Sequence, residues 1–107
     1  MENVISTQGK WSLVLSTGRL DGHTSPELDT ALKGVIAGGA KFVALDLSSI
    51  DYLSSAGLRV LLATYKTVKA LDGDMVLISP KENVAEVLTI SGFAGIFRIV
   101  NGVQELD

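Results

Sequence analysis

Phe42-Val43-Ala44-Leu45-Asp46-Leu47-Ser48-Ser49-Ile50-Asp51-Tyr52-Leu53-Ser54-Ser55-Ala56-Gly57-Leu58 is the stretch on which the fold turns. It opens with a continuous apolar run, Phe42 to Leu45, of strand length. Such a run suits a central strand covered on both faces, because strict alternation is needed only where one face meets water. Asp46 and Ser48-Ser49 close the run, and a short loop is expected after them. A helix then begins near Ser54 or Ser55, since a serine side chain satisfies orphan backbone N–H groups in a first turn. Leu58, Leu61, Leu62, Tyr65 and Val68 recur at helical spacing and mark its buried stripe. Lys66 and Lys69 lie near its C-terminal end, where the helix dipole favours cations.

Downstream, Asp72-Gly73-Asp74 turns the chain into a second buried strand, Met75 to Ile78. Ser79-Pro80 is expected to start a third helix carrying Val84, Val87 and Leu88, with Gly92 at its end. Phe97 to Val100 reads as a last short strand, Asn101-Gly102 as a turn, and Val103 to Asp107 as a terminal helical turn. Upstream, Leu28, Leu32, Val35 and Ile36 form one apolar helical stripe. Thr24 or Ser25 caps that helix, and Pro26 suits its first turn, where a missing N–H costs nothing. Glu27 and Asp29 favour the positive end of the dipole, and Gly38-Gly39 ends the helix in the left-handed region. Asp21-Gly22-His23 is a loop. Lys10 to Thr17 alternates, with Trp11, Leu13 and Leu15 on one side and Ser12 and Ser16 on the other. Val14 interrupts that period, so this strand has one face buried and one partly so. Asn3 to Ser6 is a short preceding strand, joined to it by a turn at Gln8-Gly9.

The order is a strand hairpin followed by helix–strand–helix–strand–helix–strand. That order predicts an α/β fold with a mixed, mostly parallel sheet opened by an antiparallel hairpin. The crossovers are right-handed and the helices pack mainly on one face. The 107 residues fit one domain spanning 1–107, because two cores cut from so short a chain would bury too little surface.

Composition narrows the function. Hydrophobic residues make up 47% and charged residues 20%, as in ordinary globular proteins. There is no cysteine and a single histidine, which removes disulfides, thiolate zinc sites and multi-histidine metal centres. The net charge of −3 argues against nucleic acid, whose affinity comes largely from Lys and Arg on phosphates. Met1-Glu2-Asn3 lacks the basic start of a secretory signal, and no apolar run approaches the roughly 20 residues that span a bilayer. The expectation is a cytoplasmic protein without direct membrane insertion.

Catalytic motifs are missing. A nucleophile elbow needs Gly-x-Ser-x-Gly, and Leu53-Ser54-Ser55-Ala56-Gly57 has glycine only on the far side. The one candidate base, His23, belongs to another loop and reads as an exposed residue. Neither a phosphate-binding P-loop nor a dinucleotide fingerprint occurs. Asp46 and Asp51 are two carboxylates five residues apart, which loop solvation or capping explains better than a metal. The chain is therefore expected to be no enzyme and to need no cofactor or metal. What remains is Asp46 to Leu58, which leaves a buried strand and enters a helix. In open α/β sheets, sites gather outside the carboxyl ends of parallel strands. A phosphate on a serine there fits the free N–H groups of the helix start. It adds about −1.5 to −2 units of charge, enough to disrupt a partner interface. Plain capping is the competing explanation, and the two are compatible.

Asp46-Leu47-Ser48-Ser49-Ile50-Asp51-Tyr52-Leu53-Ser54-Ser55-Ala56-Gly57-Leu58, continued by Arg59-Val60-Leu61-Leu62, resembles the signature of STAS domains, in particular bacterial anti-sigma factor antagonists. Gly18-Arg19-Leu20-Asp21 with Thr24, Gly73-Asp74 before a strand, and Ile90-Ser91-Gly92-Phe93 match the same family in order. The resemblance covers nearly the whole chain. It implies a STAS fold and an antagonist that binds an anti-sigma serine kinase of the histidine-kinase-like ATPase type, freeing a sigma factor. It also implies inactivation by phosphorylation of a serine at the start of the second helix, reversed by a PP2C-type phosphatase. The family pattern there is Asp-Ser-Ser/Thr-Gly-Leu. Aligned on Gly57-Leu58, the phosphoacceptor is Ser55. Two departures stand out: Ser54 replaces the family Asp and Ala56 replaces a Ser or Thr. The first makes Ser54 a competing acceptor. Asp21 matches a residue of the family's partner-binding surface.

The expected partner surface is Asp21, His23 and Thr24 beside Ser54 and Ser55, with Gly57 and Leu58 letting the partner approach closely. Two other classes stay open. One is a non-switching STAS scaffold subunit in a multi-protein assembly such as a transporter-associated complex, where Ser54-Ser55 only cap. The other is a nucleotide or small-molecule binder at the helix N-terminus.

Overall fold

The computed structural model describes residues 1–107. The elements in order are β1 (Glu2–Gln8), β2 (Trp11–Leu20), α1 (Ser25–Ala37), β3 (Phe42–Leu53), α2 (Ser55–Ala70), β4 (Asp74–Ile78), α3 (Glu82–Ile90) and β5 (Arg98–Val100). Short 3-10 turns cover Phe93–Gly95 and Val103–Glu105. The five strands form one sheet in the order β1-β2-β3-β4-β5. β1 pairs antiparallel with β2, and every other pair is parallel. A strand order that advances steadily through right-handed crossovers leaves all three helices on the same face.

Packing bears this out. Leu28 and Leu32 of α1, Leu61 and Val68 of α2, and Val84 and Leu88 of α3 join one cluster with Val14, Leu20, Val43, Leu45, Leu47, Ile50, Leu53, Met75 and Leu77 from the sheet. Burying each such side chain stabilises the fold by about 1.5–3 kcal/mol. The opposite face holds a smaller cluster of Trp11, Ala44, Val76, Ile78 and Val100 with no helix in it. It is shielded instead by Leu106, and Trp11 Nε1 donates to the Asp107 carbonyl at 3.1 Å. On β2 the helix-covered face is therefore that of Val14. The Trp11, Leu13 and Leu15 side of the strand faces away from the helices.

Four sequence expectations need correction. β3 does not close at Asp46 but runs on to Leu53. Beyond Asp46 it has left β4 behind and pairs only with β2, through two register shifts: Thr17 with Ser49, Gly18 with Ile50, Arg19 with Tyr52, Leu20 with Leu53. Ser48, Asp51 and Tyr52 occupy the exposed positions of this half-free strand, while Leu47, Ile50 and Leu53 stay buried. Polar residues made it look like a loop. Second, α3 starts at Glu82, not at Ser79-Pro80. Ser79 has φ +47 and donates its N–H to the Val100 carbonyl, which ties the end of β4 to β5. Third, only Gly39 of the glycine pair takes a positive φ, because Gly38 still lies at φ −78. Fourth, the buried line of α2 is Gly57, Leu61, Thr64 and Val68, with Leu58 and Tyr65 flanking it half-buried.

Candidate functional site

The C-terminal ends of β2 and β3 bring the expected site residues together. β2 ends at Leu20 and β3 at Leu53, which are register partners. The Ser54 N–H then donates to the Leu20 carbonyl at 2.9 Å, so the loop before α1 and the first turn of α2 are stitched to one another. Gly57 completes the join. It is buried, and a Cβ there would lie 2.7 Å from both Leu20 Cγ and Leu53 Cδ1. Gly57 therefore lets α2 approach the sheet, not a partner approach α2, and it leaves the expected contact surface. Leu58 is half-buried against the core.

The two serines at the start of α2 are not equivalent. Ser54 is the N-cap, with extended backbone, and its Oγ accepts the Gly57 N–H at 3.3 Å. Ser55 is the first helical residue and is exposed. Its hydroxyl makes no hydrogen bond within the chain. The competing acceptor is thus occupied and the expected one is free. Neither hydroxyl is hydrogen-bonded to His23.

The loop before α1 is held by its own side chains. Asp21 Oδ1 accepts the N–H groups of His23 and Thr24 at 2.9 and 3.1 Å. The Thr24 Oγ1 accepts the Asp21 N–H at 2.9 Å and donates to the Arg19 carbonyl. Thr24 stands at the N-cap position of α1 but gives no capping bond, because its hydroxyl is spent inside the loop. The backbone N–H groups of Thr24 and His23, with the nearby Arg19 guanidinium, hold the Asp21 carboxyl below the usual carboxylate range. His23 projects from the loop, exposed.

Neighbours outside the expected partner surface complete this end of the molecule. The Arg19 guanidinium stacks 4.4 Å from the centre of the Tyr52 ring, a pairing set by strand register. Lys81 pairs with Asp51, and Asn83 Nδ2 donates to the Asp51 carbonyl at 2.7 Å. Only the unexpected extension of β3 brings Tyr52 and Asp51, which read as a loop carboxylate, to this position. The one concavity, about 230 Å³, lies elsewhere: between α1 and α2, lined by Asp29, Lys33, Ile36, Ala63, Thr64 and Thr67. Ala63 is roughly 12 Å along α2 from Ser55 at a rise of about 1.5 Å per residue. No helix is long and apolar enough to cross a membrane.

The STAS domain family model matches residues 5–106. The chain belongs to the STAS domain family. Among curated relatives, BtrV of Bordetella bronchiseptica, whose name places it with the anti-sigma factor antagonists, is 39% identical over 84 residues, 78% of this chain and 72% of its own. A Thermotoga maritima protein described in the same terms superposes with a TM-score of 0.91 at 19% identity, covering 96% of this chain and 89% of that one. The antagonist SpoIIAA of Bacillus, in its unphosphorylated form, superposes with a TM-score of 0.82 at 19% identity, covering 97% and 91%. The structural likenesses establish the STAS fold. The family match and the B. bronchiseptica relative set this STAS chain among the anti-sigma factor antagonists.

Proposed function

We propose that this STAS chain binds an anti-sigma factor serine kinase of the histidine-kinase-like ATPase type, so releasing a sigma factor, and that phosphorylation of Ser55 switches it off. The observation that carries the reading is the contrast at the start of α2: Ser54 Oγ is engaged as a cap while Ser55 Oγ is exposed and free. A kinase needs a hydroxyl it can reach. A phosphate on Ser55 sits in the first turn, where unpaired N–H groups and the helix dipole favour an anion, so the fold tolerates it. A partner resting on Ser55 does not, because about −1.5 to −2 charges must then be desolvated. The Asp21 loop with His23 and Thr24 forms the flank of that contact, and a PP2C-type phosphatase restores the active form. A SpoIIAA structure solved in the phosphorylated form supports the idea that a fold of this kind accepts the modification. The site of action is the cytoplasm, where sigma factors work.

The test compares wild-type chain with Ser55→Asp and Ser55→Ala, each used to capture partners from native extract, with the bound proteins identified by mass spectrometry. Wild type and Ser55→Ala are expected to hold the kinase, and Ser55→Asp to hold it about tenfold or more weakly, a loss of about 1.4 kcal/mol. Incubation with that kinase and ATP should label wild type and Ser54→Ala but not Ser55→Ala. Equal capture by all three chains, or transporter components alone, would replace the switch with a non-switching scaffold subunit.

A further inference from the structure

Arg59 lies one helical turn beyond Ser55 on the same face of α2, and both are exposed. Residues four apart on a helix hold their Cβ atoms about 5–6 Å from one another, within easy reach of a guanidinium. Of the three arginines, Arg19 is stacked on Tyr52 and paired with Asp21, and Arg98 is bound to Asp107 and the Glu105 carbonyl. Arg59 alone has no ion pair, hydrogen bond or aromatic partner within the chain. Nothing on α2 competes for it, since the helix carries no carboxylate. On α1, which packs against α2, Asp29 pairs with Lys33 and Glu27 faces the N-terminal amine, while Asp21 is held by its loop and Arg19, and Asp51 by Lys81. At position 54 the chain offers a hydroxyl, so no acid beside Ser55 repels an added phosphate.

We propose that Arg59 is the ion-pair partner of a phosphate on Ser55, which lies down along α2 in a fork of guanidinium N–H groups. This rests on the reading of Ser55 as phosphoacceptor and extends it. Three phosphate oxygens and a planar guanidinium make the strong bidentate kind of charge-assisted pair. The order is also the favourable one, with the anion N-terminal to the cation at a spacing of four. The switch then does two things at once. It adds an anion at Ser55 and withdraws a free cation from the exposed start of α2.

The test needs no kinase. Phosphoserine is incorporated at position 55 during translation, and its second ionisation is followed by ³¹P NMR in the wild-type sequence, Arg59→Gln and Arg59→Glu. All three carry His23→Gln, so that the loop before α1 presents no imidazole to the phosphate. A partner cation stabilises the dianion, so the wild-type phosphate should ionise about 0.3 pH units lower than in Arg59→Gln, with Arg59→Glu higher still. The wild-type difference should fade in about 1 M salt, where screening shortens to roughly 3 Å. Circular dichroism checks that each exposed substitution leaves the fold intact. A wild-type value equal to that of Arg59→Gln overturns the pairing, whatever Arg59→Glu does, and leaves Ser55 as acceptor untouched. A phosphate that pairs with Arg59 in a chain no kinase modifies would instead fault the switch and keep the pairing.

Discussion

α1 and α2 both begin with two adjacent hydroxyl residues at the C-terminal edge of the sheet, and the fold uses the two pairs in opposite ways. At α2, Ser54 caps the helix and Ser55 stands in solvent with a free hydroxyl. At α1, Thr24 occupies the cap position without capping, and Ser25 is 3% exposed with its Oγ buried and without a partner. Thr24-Ser25-Pro26 and Ser54-Ser55-Ala56 carry similar local chemistry. What separates them is which way the first helical residue points once the helix docks. Gly57 sits under α2 and keeps Ser55 on the outside, whereas α1 turns Ser25 inward. A hydroxyl at a helix start becomes a place for modification only when docking leaves it outside.

The sharpest way to break this comparison is to place a carboxylate at both positions. Ser25→Asp forces a charge into a buried site, and should cost about 3 kcal/mol or more or raise the carboxyl pKa until it is neutral. Ser55→Asp adds an exposed anion at a helix start and should change stability by less than about 0.5 kcal/mol, in the favourable direction. Urea unfolding at neutral pH measures both. Equal costs would mean that the two serines share one environment.

Gly57 is the next lever. A methyl group placed there meets Leu20 and Leu53 inside ordinary contact distance, so Gly57→Ala should lose about 1–3 kcal/mol as overpacking. Both neighbours are side chains that can shift, which keeps the loss within that range. A neutral Gly57→Ala would show that α2 can lift off the sheet freely, and the outward setting of Ser55 would need another cause.

The caps come next. Ser54→Ala should cost about 1 kcal/mol through the lost bond to the Gly57 N–H. Thr24→Ala should cost a similar amount for a different reason, since it frees the Arg19 carbonyl and the Asp21 N–H. Thermal unfolding measures the sizes, and amide exchange separates the causes. Ser54→Ala should loosen the first turn of α2, and Thr24→Ala the loop before α1.

Much of this was legible in the residues and some was not, for reasons that α1 and α2 illustrate. The apolar runs at Phe42–Leu45 and Met75–Ile78 and the stripes of α1 and α3 are carried in the sequence, so the α/β order, the opening hairpin and the packing of the helices on one face were readable, though not that β2 turns its Val14 side to them. The start of α2 was placed within a residue because a serine cap has a local cause. The extension of β3 was not readable, since Ser48, Ser49 and Asp51 belong to a strand that β4 no longer covers, and polarity imitates a loop there. With it went the Arg19–Tyr52 stack and the Asp51–Lys81 pair, which depend on register across strands. The inward face of Gly57 was likewise hidden, because glycine serves close packing and open surface equally well.

The smallest effect expected is at Asp21, and its sign follows from its partners. The folded carboxyl is held below its ordinary range by the Thr24 and His23 N–H groups, so it binds its proton less readily folded than unfolded. Its stabilising contribution is therefore fully present at neutral pH and is lost as pH falls through the folded value, below about pH 4. Water reaches this carboxylate, which keeps the contribution small. Asp21→Asn keeps an oxygen acceptor but has no charge to lose. Urea midpoints of wild type and Asp21→Asn should differ at pH 7 and draw together on acidification toward pH 3. The α2 start carries no carboxylate, so Ser54→Ala should leave the slope of stability against pH in that range unchanged. A gap between wild type and Asp21→Asn that widens toward acid would mean that the loop before α1 is held by something other than the Asp21 charge, and the contrast between the two helix starts would then rest on burial alone.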